Sequence, residues 1–159
     1  LRPSLPVHLD LYGRGDSRPG LEALAAARGI SDRITFHGRI PIEDVPAAIA
    51  RADIGLAPTR RDAFTDSSLS TKILEYAAMY RPAGASRLPR VERTFPAGTV
   101  AAYAPGDPDD LADRVLRFVD DPAARETAVA ASAELVAGMA WERDAEAYLA
   151  LLERFARGR

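Results

Sequence analysis

Short apolar runs alternate with amphipathic stretches along the first half of the chain, and each run is closed by a glycine or a proline. Such runs predict buried strands, whereas apolar residues three and four positions apart predict helices. The predicted strands cover residues 7–12, 33–37 and 53–58. The predicted helices cover residues 19–28, 42–52 and, after a polar loop over 59–69, 71–80.

The alternation continues through the second half of the chain. Residues 82–86 predict a weak strand and residues 100–103 predict a clearer one. The last three predicted helices cover residues 107–119, 121–136 and 141–157. Strands that alternate with helices through short connections predict a parallel sheet with helices on both faces. We therefore expect an α/β fold, with residues 1–159 forming one domain that has a Rossmann-like parallel sheet.

Composition and charge exclude several classes of protein. The 159 residues carry a net charge of −2, which argues against nucleic acid as the partner. The absence of cysteine excludes thiol catalysis, cysteine-bound metal and disulfides. No apolar run approaches the roughly 20 residues of a membrane span, and a cytoplasmic location fits most simply. The chain begins without an initiator methionine or a signal peptide, so we expect it to be part of something longer.

Two glycine-containing turns stand where ligands bind in open parallel sheets, beyond the carboxyl ends of strands. Gly13-Arg14-Gly15 lacks the third glycine of a dinucleotide fingerprint, so a tight turn is the simpler interpretation, with Arg14 available to a phosphate. After the second strand, Gly38 would let a flat ring approach the backbone. We interpret His37 as a packed strand residue rather than as a catalyst.

The start of the predicted helix at residue 71 carries the most informative chemistry. Ser70, Thr71 and Lys72 place free N–H groups, a hydroxyl and a cation in its first turn, which suits a diphosphate. Glu75 lies one turn further along the same face, where a carboxylate accepts hydrogen bonds from both hydroxyls of a ribose. On spacing alone, a capping serine and a solvated glutamate explain the pattern equally well.

The same residues resemble a known family. Residues 68–76, Ser-Leu-Ser-Thr-Lys-Ile-Leu-Glu-Tyr, resemble a signature of retaining glycosyltransferases of family four, located in their C-terminal, donor-binding domain. Further segments resemble the family pattern in the same order over nearly the whole chain, at residues 11–15, 32–38, 52–58, 103–112 and 141–142.

This resemblance implies the C-terminal half of a two-domain GT-B fold, which holds a nucleotide sugar between its domains. It implies sugar transfer with retained configuration, no obligatory metal, and no cofactor beyond the UDP- or GDP-sugar substrate. Glu75 would hold the ribose, and the expected catalytic residues are Glu75, Asp66 and Lys72. The expected nucleotide-sugar-binding residues are Gly13, Arg14, Gly38, Arg39, Ile40, Ser70, Thr71, Lys72 and Glu75. Among these, Ser70 to Lys72 would contact the diphosphate and Gly38 to Ile40 the base.

Several positions depart from the family pattern. The first glutamate of its Glu, seven residues, Glu motif falls at Ser67, and Asp66 is the expected substitute. The proline of the signature falls at Ser70, and Tyr80 stands where a glycine is usual. The chain also begins after the family's first strand–helix unit, with its phosphate-binding cations, and without the N-terminal acceptor domain. We therefore expect the isolated chain to be inactive.

Two other functions stay open at this point. A non-catalytic interaction module would bind a protein partner, and Ser67 and Tyr80 favour it. A sugar-nucleotide epimerase shares the architecture but needs a histidine and carboxylates at the anomeric centre, and only His8 and His37 are available. The leading hypothesis has the nucleotide sugar and the missing acceptor domain as partners, and peripheral membrane association through the full-length enzyme.

Overall fold

The structure is a computed structural model, and it describes residues 7–157. Strands and helices alternate along the described residues. The strands are β1 (Leu9–Tyr12), β2 (Ile34–Gly38), β3 (Gly55–Ala57), β4 (Ala83–Ser86) and β5 (Ala101–Tyr103). The helices are α1 (Arg18–Ala27), α2 (Val45–Arg51), α3 (Thr71–Ala78), α4 (Pro89–Thr94), α5 (Pro108–Asp120), α6 (Pro122–Ala137) and α7 (Trp141–Arg157).

Every strand pair in the described residues is parallel, which confirms the predicted α/β class. The chain forms two compact units, Leu1–Ala48 and Ile49–Arg159. The first unit contains a sheet of β1 and β2, and the second contains a sheet in the order β3-β4-β5. The assignment of residues 1–159 to one nucleotide-sugar-binding domain stays a prediction. No helix in the described part of the chain is both long and apolar enough to cross a membrane.

Some element boundaries differ from those predicted. The strand expected over residues 7–12 begins at Leu9, and the one expected over 53–58 is limited to Gly55–Ala57. The helix expected over 42–52 starts with a 3₁₀ turn and becomes α-helical at Val45. Pro46 is then the second residue of α2, where its missing N–H removes no helical hydrogen bond. Helix α4 was not predicted, because six residues are too few to show a helical period.

The core of the second unit forms around the central strand β4. All four residues of β4 are buried although they are small, because β4 lies between β3 and β5. Small side chains on a central strand allow the helices to approach the sheet closely. The buried apolar residues of this core are Ala57, Ile73, Ala83, Ala85, Leu88, Val91, Phe95 and Val100.

Asp110 joins the start of α5 to the end of β5. Its carboxylate accepts hydrogen bonds from the backbone N–H of Ala104 at 2.7 Å and from the Arg114 guanidinium at 2.9 Å. The Ala104 N–H, followed by Arg114, holds the pKa of the Asp110 carboxyl below its usual value. Asp107 caps the same helix by accepting from the N–H groups of Asp109 and Asp110. The acidic residues from which this helix is predicted therefore stabilise its N-terminus.

A glycine on β3 sets how closely α3 packs against the strand. A Cβ atom at Gly55 would lie 2.4 Å from ring carbons of Tyr76 on α3. The Tyr76 hydroxyl donates a hydrogen bond to the carbonyl of Leu56 at 3.3 Å, which holds the ring over the strand. Burial raises the pKa of this hydroxyl, so it stays a neutral donor. The position of α3 therefore depends on the missing side chain at Gly55.

We expect Gly55→Ala to lower the free energy of unfolding by about 1–3 kcal/mol, the usual cost of overpacking a core. Urea denaturation of the variant and the parent protein measures this loss. Gly20→Ala is the control, because nothing lies within 4 Å of a Cβ atom there and alanine favours helix α1. Equal losses in the two variants would contradict a specific collision with Tyr76.

Candidate functional site

A cleft of about 190 Å³ opens at the carboxyl edge of the three-stranded sheet in the second unit. It lies where β3 ends at Ala57, where β4 ends at Ser86 and where α3 begins. The lining residues are Ala57, Thr59, Phe64, Thr65, Ser68, Ser70, Ile73, Ser86, Leu88 and Val91. This is the edge at which open parallel sheets bind ligands.

Hydroxyl groups and apolar side chains make up the lining of the cleft. Five of the lining residues are serine or threonine, and none of the described lining residues is charged. Ser86 is buried, and its hydroxyl donates to the hydroxyl of Tyr103 at 3.3 Å. Burial raises the pKa of Tyr103, so this pair is neutral. The walls therefore suit a ligand portion that carries hydroxyl groups and no charge.

The loop between β3 and α3 is braced by its own hydrogen bonds. The Asp62 carboxylate accepts from the Thr65 N–H at 2.8 Å, and the Thr65 hydroxyl accepts from the Asp62 N–H at 2.8 Å. The Thr65 N–H lowers the pKa of the Asp62 carboxyl. Arg61 donates to the Asp66 carboxylate at 3.0 Å. The loop wall of the cleft is therefore held in one arrangement.

The N-terminus of α3 lacks a side-chain cap. Ser70 occupies the N-cap position with an extended backbone, but its side chain makes no capping hydrogen bond. It lines the cleft instead. The Ile73 N–H donates to the carbonyl of Ser70 at 3.2 Å, but the N–H groups of Thr71 and Lys72 have no acceptor among the described residues. A helix start of this kind attracts anions. The capping bond, one of the two interpretations left open by the sequence, is therefore not formed here.

The residues that follow on α3 are exposed and accessible to a ligand. Thr71, Lys72 and Glu75 are all exposed to solvent. Within residues 7–157, no hydrogen bond or ion pair involves the side chains of Lys72 or Glu75. A cation and a carboxylate without protein partners are thus both present in the first two turns of the helix. The predicted role of each side chain stays a prediction.

Asp66 differs from the other expected catalytic residues, Lys72 and Glu75, because its carboxylate has a protein partner. Its carboxylate is bound by Arg61, and its side chain is not among those that line the cleft. Ser67, where the family pattern has a glutamate, donates its hydroxyl to the carbonyl of Phe64 at 2.9 Å. Among the predicted site residues of the second unit, Ser70 is the one that lines the cleft.

In the first unit, the structure brings the two predicted glycine turns together. The N–H of Gly13 donates to the carbonyl of Gly38 at 2.7 Å, and both residues have positive φ angles that favour glycine. Two predicted binding segments therefore start side by side. One runs from Gly13 to Arg14, and the other runs from Gly38 to Ile40. His37 stacks on Tyr12 with ring centroids 4.4 Å apart and contacts the Asp10 carboxylate. His37 is nevertheless exposed, so it packs against Tyr12 at the surface and not within a core.

Tyr80 adopts a backbone conformation that explains why glycine is usual at its position. Its φ angle is +54°, and no other non-glycine residue in the described chain has a positive φ. A side chain in this left-handed region costs about 1–2 kcal/mol. The ring is 69% exposed and so leaves the packing around α3 intact.

Several cleft residues have no role predicted from the sequence. Thr59 and Ser86 belong to a loop and a strand end with no recognisable spacing to α3, and Phe64 stands in the polar loop that leads into α3. Phe64 alone carries a signal, because it is an aromatic residue inside a polar loop and is 75% exposed.

Comparison with known proteins gives consistent matches. A model of the family described as glycosyl transferases group 1 matches residues 1–121. Alpha-D-kanosaminyltransferase of Streptomyces kanamyceticus is 34% identical over 117 residues, which cover 73% of this chain and 29% of that protein. The chain thus spans about three tenths of the length of the curated relatives that it matches.

Solved structures show the same fold. Sucrose-phosphate synthase of Thermosynechococcus elongatus matches with a TM-score of 0.81 and 23% identity, over 96% of this chain and 39% of that chain. HepE of Anabaena, in a crystal structure with UDP and glucose, matches with a TM-score of 0.73 and 17% identity, over 83% of this chain and 36% of that chain. These likenesses confirm the predicted match to a GT-B glycosyltransferase domain.

Proposed function

Because the chain belongs to the glycosyl transferases group 1, we propose that it binds the donor of a retaining glycosyltransferase of family four. The donor is a UDP- or GDP-sugar, and the acceptor is a second substrate that carries a hydroxyl group. The observation that carries the proposal is the uncapped N-terminus of α3 beside a hydroxyl-lined cleft. That arrangement offers an anion site and a neutral polar pocket next to each other, as a sugar diphosphate requires.

The diphosphate binds at the first turn of α3 in this proposal. Ser70, Thr71 and Lys72 present backbone N–H groups there, and the Lys72 ammonium adds a positive charge. The helix dipole and these donors stabilise negative charge on the diphosphate. Because Lys72 has no ion pair within the described chain, binding of the diphosphate breaks no existing contact of its side chain.

The nucleoside is recognised by two further groups of residues. Glu75, one turn into α3, accepts hydrogen bonds from the two ribose hydroxyls. In the first unit, Gly13 and Arg14 bind the donor, and the backbone groups of residues 38–40 contact the base; both roles are carried by the family resemblance. The crystal structure of HepE with UDP and glucose supports a donor of this chemical class.

The proposed reaction transfers the sugar from the diphosphate of the donor to the hydroxyl group of the acceptor. The oxygen of the acceptor hydroxyl forms a bond to the anomeric carbon on the same face from which the diphosphate departs, so the configuration is retained. The bond from that carbon to the diphosphate oxygen breaks, the diphosphate leaves with the electron pair, and the hydroxyl proton passes to the departing diphosphate. The α3 N–H groups and Lys72 stabilise the charge that develops on the leaving group. Asp66, held by Arg61, takes the place of the glutamate that Ser67 replaces.

Titration with UDP and GDP, followed by NMR of the backbone amides, tests the proposal. We expect weak binding with shifts at Thr71 and Glu75, which lie at the start of α3 and one turn further along it. Uridine and guanosine are the matched controls, since without a diphosphate they leave the Thr71 amide unshifted. Absence of any shift near Thr71 or Glu75 up to millimolar nucleotide would contradict the proposal.

A non-catalytic interaction module is the second candidate. Ser67 uses its hydroxyl inside the loop, and the strained Tyr80 presents a ring that is 69% exposed. Both departures are compatible with a domain that binds a protein partner in place of a donor. The same titration separates the two candidates, because a module of this kind leaves the α3 amides unaffected by either nucleotide.

A further inference from the structure

We propose that Phe64 is a stacking platform for the pyranose ring of the donor sugar and that Ser67 positions it. The inference rests on the proposed function, because it assigns the sugar portion of the donor to the cleft beside α3. It adds a specificity-determining aromatic residue, in the loop before α3, for which the sequence predicts no role. It also gives Ser67, which stands at the place of a glutamate, a role of its own.

Phe64 is exposed and yet lies at the cleft. Its side chain is 75% exposed, although burial of an aromatic ring is favourable. Single exposed apolar residues are common, so exposure alone carries no inference. Phe64 differs because it lines the cleft, and because no other described lining residue is aromatic. A ligand in the cleft would therefore meet one aromatic ring.

The backbone of Phe64 is fixed before any ligand binds. Its carbonyl accepts three hydrogen bonds, from the Ser67 N–H at 3.2 Å, the Ser68 N–H at 3.0 Å and the Ser67 hydroxyl at 2.9 Å. Asp62 and Thr65, which flank Phe64 in the chain, bind each other reciprocally. A preorganised contact residue loses little conformational freedom when it binds a ligand, so its contacts contribute more to affinity.

The composition of the cleft matches the two sides of a pyranose. Such a ring carries hydroxyl groups around its edge and C–H groups on its face. The hydroxyls of Thr59, Ser68 and Ser70 on the walls match the edge, whereas those of Thr65 and Ser86 are bonded within the protein. The negative face of an aromatic ring attracts the slightly positive C–H groups, so Phe64 matches the face.

Ser67 acts through Phe64 in this arrangement. Its side chain is exposed and donates its hydroxyl to the Phe64 carbonyl. Removal of that hydroxyl leaves two of the three hydrogen bonds on the carbonyl and loosens the turn that holds the ring. Ser67 is therefore a positioning residue.

The test compares dissociation constants for UDP and UDP-glucose, or for GDP and GDP-glucose, in the whole 159-residue chain. We expect Phe64→Ala and Phe64→Leu to weaken binding of the sugar nucleotide about 2- to 10-fold, the effect of losing one aromatic contact. Binding of the free nucleotide should stay unchanged. Phe64→Trp keeps an aromatic face and should retain the parent affinity for the sugar nucleotide.

Phe155→Ala is the matched control, because this phenylalanine on α7 is 68% exposed and does not line the cleft. It should change neither dissociation constant. Ser67→Ala should weaken the sugar nucleotide selectively, and Ser67→Thr, which keeps a hydroxyl, should restore the parent value.

Three results would overturn the inference, and they separate it from the proposed function. Unchanged binding of the sugar nucleotide in Phe64→Ala, or equal weakening of nucleotide and sugar nucleotide, would remove the stacking role alone. Failure of the parent chain to bind either UDP or GDP would overturn the proposed function as well. Saturation transfer from aromatic protons to the sugar ring, present in the parent chain and lost in Phe64→Leu, would support the contact directly.

Discussion

Ile73→Ala is expected to lower the free energy of unfolding by about 2–5 kcal/mol, the cost of truncating a fully buried aliphatic side chain. Ile73 is 1% exposed and lies on the inner face of α3, in the core formed with Ala57, Ala85 and Leu88. Its truncation removes packing beneath the helix that carries the candidate anion site, next to the cleft that Ile73 lines. Urea denaturation followed by circular dichroism measures the loss.

Ile42→Ala is a closely matched control for this prediction. It makes the same chemical change at a side chain that is 74% exposed, so the free energy of unfolding should change by less than about 0.5 kcal/mol. Ile73→Val removes a single methylene group and should cost about 0.5–1.5 kcal/mol. If Ile42→Ala and Ile73→Ala gave equal losses, Ile73 would not belong to the core that holds α3.

The fold was predictable from sequence wherever an apolar run is short and is closed by a glycine. The strands ending at Tyr12 and Gly38 follow this rule, and both appear in the structure. Strand β4 was predicted only weakly, because Ala-Gly-Ala-Ser has little hydrophobicity of its own. Its burial comes from its neighbours β3 and β5, and no local pattern contains that information.

The candidate site was predictable only where its residues belong to one regular element. The spacing of Thr71 and Glu75 identifies the start of α3 and the residues available there, because both belong to one helix. The lining of the cleft depends on which loops meet, so the placement of Ser86 beside α3 could not be predicted. The pairing of Asp66 with Arg61 was also missed, because a loop has no fixed period that places one residue against another.

The ribose role of Glu75 leads to the prediction with the largest expected effect on binding. We expect Glu75→Ala to weaken UDP or GDP at least tenfold, since each hydrogen bond to a charged group contributes about 1.5–3 kcal/mol. The free energy of unfolding should hold, because Glu75 is exposed and alanine is favourable within a helix. Isothermal titration gives the affinity, and urea denaturation checks the fold.

A nucleotide without ribose hydroxyls tests whether Glu75 acts through the ribose. The 2′,3′-dideoxy nucleotide should bind the parent chain more weakly than the normal nucleotide, because it lacks both hydroxyls that Glu75 binds. In the Glu75→Ala variant the two nucleotides should bind alike, since the partner of those hydroxyls is gone. Glu92→Ala, at an exposed glutamate on α4, should preserve the difference between the two nucleotides. Equal affinity of the parent chain and Glu75→Ala for the normal nucleotide would reject the ribose role and leave Glu75 a solvated helix residue.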